Sequence, residues 1–97
     1  MEYVLVQREG FKEEFFAAVE GLKELSSEEL VQRYNRQVEI GIVGVYKQAI
    51  GIVALRYHFR IRFNQSPVQV SNNVIISLTG KVKIVDESLY YLNDVRV

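Results

Sequence analysis

The sequence has no cysteine and a single histidine, His58, among its 97 residues. Without cysteine the chain can form no disulfide, has no thiol nucleophile and offers no thiolate to zinc or an iron–sulfur cluster. A lone histidine also excludes any site that needs two imidazoles. We therefore expect a chain that is not an enzyme and that carries no cofactor or metal.

Long apolar runs and targeting signals are also scarce. The residues after Met1 have neither the basic start nor the long apolar core of a signal peptide. The most apolar stretch, 40–55, carries Lys47 and Gln48 at its middle and falls short of the roughly 20 apolar residues that span a bilayer. We expect a cytoplasmic protein with no membrane partner.

What the sequence does contain is enough apolar material for a core, since 48% of its residues are hydrophobic and 11% are aromatic. The length suits one domain of ordinary small size. Pro67 separates two differently patterned halves, the first with helical and the second with strand periodicity. We expect residues 1–97 to form a single α+β domain.

Two helices are predicted before Pro67. A short amphipathic helix is expected over about 11–25 from apolar residues spaced three and four apart. Ser26 and Glu29 then form a capping box that begins a second helix. Apolar residues recur every seven positions through this second segment, and we expect one long helix over about 27–63, ended by Asn64, which tolerates a left-handed cap. Such a helix would be about 55 Å long, so it would need a partner.

Residues 38–63 have a second interpretation as a β-hairpin. Apolar and polar residues alternate at period two over 53–63. Gly41, Gly44 and Gly51 would each cost a helix interior about 1 kcal/mol relative to alanine. Against the hairpin, Lys47-Gln48 at its centre lacks the residues that favour a tight turn. We favour the helix and keep the hairpin as the alternative.

The pattern after Pro67 predicts strands. Two short apolar runs flank Asn72-Asn73, which tolerate the positive φ of a turn. A further turn is expected at Gly80, followed by two more strands. We expect a small antiparallel β-meander over about 68–92, in which each strand pairs with the next one along the chain.

Charge is strongly segregated in a chain whose net charge is zero. Residues 1–39 have a net charge of −4, residues 40–85 contain six bases and no acid, and residues 86–97 have a net charge of −2. The acid-free segment either neutralises the acidic N-terminal third or binds an anion or nucleic acid. On a helix Arg56 and Arg60 would share one face, and His58 and Arg62 another, whereas on a strand all four would share one face and make a better phosphate surface. The possible anion-binding residues are Lys47, Arg56, Arg60, Arg62, Lys81 and Lys83.

Self-association is the function that we favour from the sequence. A helix over 40–55 is apolar around nearly its whole circumference, and one short helix covers only one side of it. A large apolar surface left exposed usually marks an interface. We expect a homodimer or higher oligomer, or docking on another protein, with nucleic acid as a less favoured partner. The expected interface residues are Val38, Ile42, Gly44, Val45, Ala49, Gly51, Ile52 and Phe59.

Overall fold

The architecture is α+β, as the sequence predicts. A computed structural model describes residues 2–72 and 74–97. The described residues form three helices and two small antiparallel sheets. The elements are β1 (Glu2–Val4), α1 (Phe11–Leu22), α2 (Ser27–Ile40), α3 (Tyr46–Phe63), β2 (Val68–Ser71), β3 (Ile75–Leu78), β4 (Val82–Val85) and β5 (Ser88–Tyr91).

The predicted capping signals lie where the sequence placed them. Ser26 Oγ accepts from the backbone N of Glu29 at 3.1 Å, and Glu29 Oε1 accepts from the backbone N of Ser26 at 3.0 Å. This capping box begins α2. Asn64 ends α3 at φ 56°, in the left-handed conformation that closes many helices.

The single helix expected over 27–63 is wrong, and so is the alternative hairpin over 38–63. The chain forms two helices, α2 and α3, separated by residues 41–45. Gly41 and Gly44 lie at φ 82° and 83°, a region that glycine enters without steric penalty. Because an α-helix requires negative φ, these glycines end α2 and turn the chain before α3 begins.

A glutamine in the first turn of α3 holds this connection. Gln48 Nε2 donates to the backbone oxygen of Gly41 at 2.8 Å and to Oε1 of Gln37 at 3.0 Å. Gln48 Oε1 accepts from the backbone N of Val43 at 3.0 Å. One amide thus satisfies several polar groups of the turn, which would be costly to leave unpaired. The connection is therefore a fixed turn and not a bend within one helix.

Three strands form the first sheet, with β3 at its centre between β1 and β2. Val68 pairs with Leu78, so β2 and β3 make the antiparallel hairpin that the sequence predicts. Asn72 lies at φ 51° in its turn, whereas Asn73, expected in the same turn, lies outside the described residues. Strand β2 lies at one edge of this sheet and contacts α3.

The single meander expected over 68–92 is wrong, because β4 pairs with β5 in a second sheet and β1 occupies the free edge of β3. Two side chains of helix α2 bind the segment that leads from the first sheet to the second. Tyr34 Oη donates to the backbone oxygen of Gly80 at 2.8 Å. The side-chain amide of Asn35 bonds both the backbone N and the backbone O of Val82, each at 2.9 Å. These bonds direct the chain away from β3.

The core lies between the helices and the inner faces of the sheets. The rings of Tyr34 and Phe59 meet edge to face, with centroids 5.5 Å apart, and both side chains are fully buried. Val68, Ile76 and Leu89 bring buried side chains from the sheets to the same core. This packing fixes α3 against β2, which is where the site described below lies.

Two polar side chains of α3 bind the C-terminal end of α1 and the residues that follow it. His58 Nε2 lies 2.8 Å from the backbone oxygen of Val19. Arg62 donates from Nη1 to the backbone oxygen of Leu25 at 2.8 Å and from Nη2 to that of Leu22 at 3.3 Å. Carbonyls at a helix C-terminus lack intrahelical partners and attract cations. Arg62 therefore caps α1 from a neighbouring helix.

Candidate functional site

Three of the six candidate anion-binding residues contact other groups of the same chain. Arg62 donates to the carbonyls that end α1, as described above. Lys81 Nζ lies 2.9 Å from Oε1 of Glu39, and Lys83 forms an ion pair with Asp94. Of these three, only Lys81 pairs with an acid of the N-terminal third, as the charge segregation suggested, whereas Lys83 pairs with the C-terminal segment and Arg62 binds backbone carbonyls.

Arg56 and Arg60 have a different environment. They lie one turn apart on α3 and line a polar cavity of about 280 Å³ between α3 and β2. Asn64 and Gln69 line it too, and none of the described residues in its wall is acidic. In the part of the chain that the structure describes, no ion pair involves either arginine. The remaining candidate, Lys47, is exposed at the start of α3, outside this cavity.

The electrostatics of the pair disfavour the charged state of Arg56. Partial burial lowers the pKa of Arg56, and the positive charge of Arg60 lowers it further. An opposite charge within a few ångströms favours a charged form, as a like charge disfavours it. An anion bound between the two guanidinium groups would therefore relieve their mutual repulsion.

The loop that closes the cavity is held by its own hydrogen bonds. Ser66 Oγ accepts from the backbone N of Val68 at 3.0 Å. Gln65 donates from Nε2 to the backbone oxygen of Val97 at 2.9 Å and accepts at Oε1 from the backbone N of Leu89 at 3.2 Å. A wall that is already ordered loses little conformational entropy when a ligand binds. The loop is thus preorganised beside the arginines.

Three of the residues expected at a self-association interface lie inside the chain. Ala49, Ile52 and Phe59 are each no more than 1% exposed. Their assignment to an interface is corrected, because the core of the same chain already covers them. The expectation assumed one continuous helix with an uncovered face, whereas the turn at 41–45 lets α2 and the sheets pack against α3.

The other expected interface residues are more accessible. Val38, Ile42 and Gly51 are half-buried, while Gly44 and Val45 are exposed in the turn between α2 and α3. A Cβ atom placed on Gly51 would meet no atom of the described residues within 4 Å. Within this chain, Gly51 is therefore not required for a close approach of helices.

Two polar residues of the cavity were not among the sequence candidates. The sequence predicts Asn64 only as a helix cap, and it places Gln69 only within a strand. Both carry amide groups that can donate to an oxyanion. The available signal was the polar run 64–66 directly after the basic end of the helix, but which strand would face that helix depends on tertiary packing.

Among the described residues, none of the helices combines the length and apolar character needed to cross a bilayer. No family model, curated protein or solved structure matches the chain, so what the cavity binds is inferred from its own charges, donors and dimensions.

Proposed function

We propose that this chain is a non-enzymatic binding domain for a small anion, held by Arg56 and Arg60. The observation that supports the proposal is the polar cavity, in which two arginines meet and the described wall has no acidic residue. Arginine presents a planar fork of N–H donors that matches the oxygens of phosphate and carboxylate. The cavity therefore offers charge and donors to one oxyanion.

The spacing of the two arginines suits such a ligand. Residues four apart on a helix have Cβ atoms roughly 5–6 Å from each other, so both guanidinium groups can reach a single phosphate-sized group. Asn64 at the end of the same helix and Gln69 on β2 also line the cavity and carry amide donors. The donors therefore come from α3 with its C-cap and from the neighbouring strand.

A small anion fits the distribution of cations better than an extended nucleic acid does. Each phosphate that a protein neutralises contributes about −0.7 to −0.9 to the slope of log K against log salt concentration. Because Arg62, Lys81 and Lys83 are engaged elsewhere, only two cations meet at the site. Any oligonucleotide binding through this cavity should have a slope no steeper than about −2.

The test is a titration of the ¹⁵N-labelled protein with inorganic phosphate at low ionic strength, followed by NMR, with chloride at matched ionic strength as the reference. We expect phosphate to shift the amides of 64–70 and the arginine side chains. Arg56→Gln and Arg60→Gln should each weaken binding at least about tenfold, as loss of a charged hydrogen bond predicts. Lys47→Gln, on the same helix but outside the cavity, is the matched control.

Two results would overturn this proposal. One is the absence of any phosphate-specific shift in the folded protein at tens of millimolar phosphate. The other is a set of shifts that centres on Lys47 or that survives removal of both arginines. A labelled oligonucleotide that binds with a slope much steeper than −2 would instead favour a nucleic-acid surface outside the cavity.

Self-association stays a prediction, and one observation favours it. Ile40, Val43 and Val45 expose half or more of their surface around the turn between α2 and α3. Light scattering after size exclusion should find a dimer at tens of micromolar protein, which Val45→Glu returns to monomer. Val95→Glu is the control because Val95 has a similar exposure, 54% against 52%. A wild-type monomer at this concentration would contradict self-association.

A further inference from the structure

A second cavity, of about 190 Å³, adjoins the polar one. Arg56 and Val70 line both cavities, so the two share part of a wall beside α3. The second cavity is apolar over most of its wall, which includes the rings of Phe11 and Phe15 and the side chain of Val53. One guanidinium group thus lies where a polar chamber meets an aromatic one.

The aromatic wall is held in place by contacts between rings. Phe11 and Phe15 lie nearly parallel, with centroids 6.1 Å apart. Phe15 also meets Tyr57 of α3 edge to face, with centroids 6.0 Å apart. Rings that fix one another in offset and edge-to-face geometries keep their positions. The apolar chamber therefore has a defined shape.

The volume of the apolar chamber limits what can enter it. A closed apolar cavity of about 150 Å³ is known to bind benzene. The chamber beside Arg56, at about 190 Å³, can take one ring or a chain of a few carbons.

We infer that the ligand is a small amphipathic anion, with its oxyanion on Arg56 and Arg60 and one ring or short alkyl group between Phe15 and Val53. This inference rests on the proposed anion-binding function and names its ligand class. Its basis is that Arg56 and Val70 line both cavities, so that a ligand on the Arg56 guanidinium group is beside the apolar one. An inorganic ion fills only the polar half, so the apolar half adds affinity for an organic one.

The experiment compares inorganic phosphate, phenyl phosphate and benzyl alcohol by calorimetry and NMR. Burial of a phenyl ring contributes through its apolar area, so phenyl phosphate should bind at least about tenfold more tightly than phosphate. Benzyl alcohol, which lacks the charge, should bind more weakly than phenyl phosphate. The methyl groups of Val53 and Val74, which line only the apolar cavity, should shift with phenyl phosphate and not with phosphate.

A variant that fills the apolar chamber separates this inference from the proposed function. Val74 is 40% exposed and lines the chamber, so Val74→Phe should remove the advantage of phenyl phosphate and leave phosphate binding within about twofold. Val85→Phe is the control, because Val85 is similarly exposed, at 38%, and lies on β4 away from both cavities.

The outcomes distinguish the two proposals. Equal affinities for phosphate and phenyl phosphate would overturn the amphipathic ligand and leave anion binding standing. An advantage of phenyl phosphate that persists in Val74→Phe would place the ring elsewhere and also overturn it. If neither compound binds to the folded wild-type protein, both proposals fail.

Discussion

Arg60 and Arg62 are two residues apart on one helix and carry the same charge, yet the fold uses them differently. Residues two apart on a helix are related by a rotation of roughly 200° about its axis, so their side chains leave nearly opposite sides. Arg62 reaches α1 and donates to two backbone carbonyls, whereas Arg60 lines a polar cavity beside β2. The direction in which each arginine leaves the helix therefore decides its role. Arg62 faces α1 and stabilises the fold, whereas Arg60 faces the cavity and is available to a ligand.

The largest expected effect is on stability and tests the structural side of this comparison. Arg62→Gln should lower the free energy of unfolding by about 2 kcal/mol, because it removes charge-assisted hydrogen bonds from partly buried carbonyls. Arg60→Gln should change it by less than about 0.5 kcal/mol, as surface substitutions usually do. Urea unfolding monitored by circular dichroism measures both, and equal losses in the two variants would contradict the comparison.

The second prediction tests whether phosphate binding depends on Arg60 and not on Arg62. Phosphate at ten times its dissociation constant should stabilise the wild-type protein by about 1.4 kcal/mol, because it binds only the folded state. The Arg62→Gln variant should retain this increment, although it starts from a lower stability. The Arg60→Gln variant should lose most of it. Unfolding curves with and without phosphate, at matched ionic strength, decide between these outcomes.

A smaller effect is expected from Arg60 in the absence of any anion. Like charges four residues apart on a helix destabilise it by about 0.2–0.5 kcal/mol, and Arg56 is partly buried as well. Arg60→Gln should therefore stabilise the unliganded protein slightly, and Arg60→Lys should not. Added phosphate should reverse the ranking of the wild type and Arg60→Gln. A destabilised Arg60→Gln would show that this arginine has a structural partner.

The smallest effect concerns a paired cation. Lys81 lowers the pKa of Glu39, chiefly through the hydrogen bond between them. A carboxyl group whose pKa is lowered by folding contributes stability above its ordinary pKa and loses it as the pH falls through the folded-state pKa. Lys81→Gln should raise the pKa of Glu39 towards its ordinary value, as an NMR titration can measure. Lys83→Gln, which removes a different ion pair, should leave Glu39 unchanged.

Local signals in the sequence predicted the ends of helices but not the break between α2 and α3. Ser26 with Glu29, and Asn64 after the last turn, act through bonds and dihedral angles confined to a few residues. The seven-residue apolar repeat misled the prediction because it runs across the break. Val45, a member of that repeat, lies outside both helices and is 52% exposed. The two glycines at 41 and 44 were the correct signal.

The candidate site was predictable in part. The four-residue spacing of Arg56 and Arg60 placed them on one helical face, opposite His58 and Arg62, and the structure confirms this arrangement. Which of the six cations would remain unpaired was not predictable, because their partners come from other elements. The wall formed by β2 and the loop before it is also set by tertiary packing, which periodicity in one segment does not encode.

The clamp that Asn35 places on Val82 has a consequence for how copies of the chain meet. An exposed strand edge is a template on which another chain can add a strand, and this is a route to aggregation. The amide of Asn35 occupies the backbone N–H and C=O of Val82 as a neighbouring strand would. On the other side, β5 is covered by the chain terminus through Arg96 and Val97. The two-stranded sheet is thereby shielded from intermolecular strand addition along β5 and at the first residue of β4.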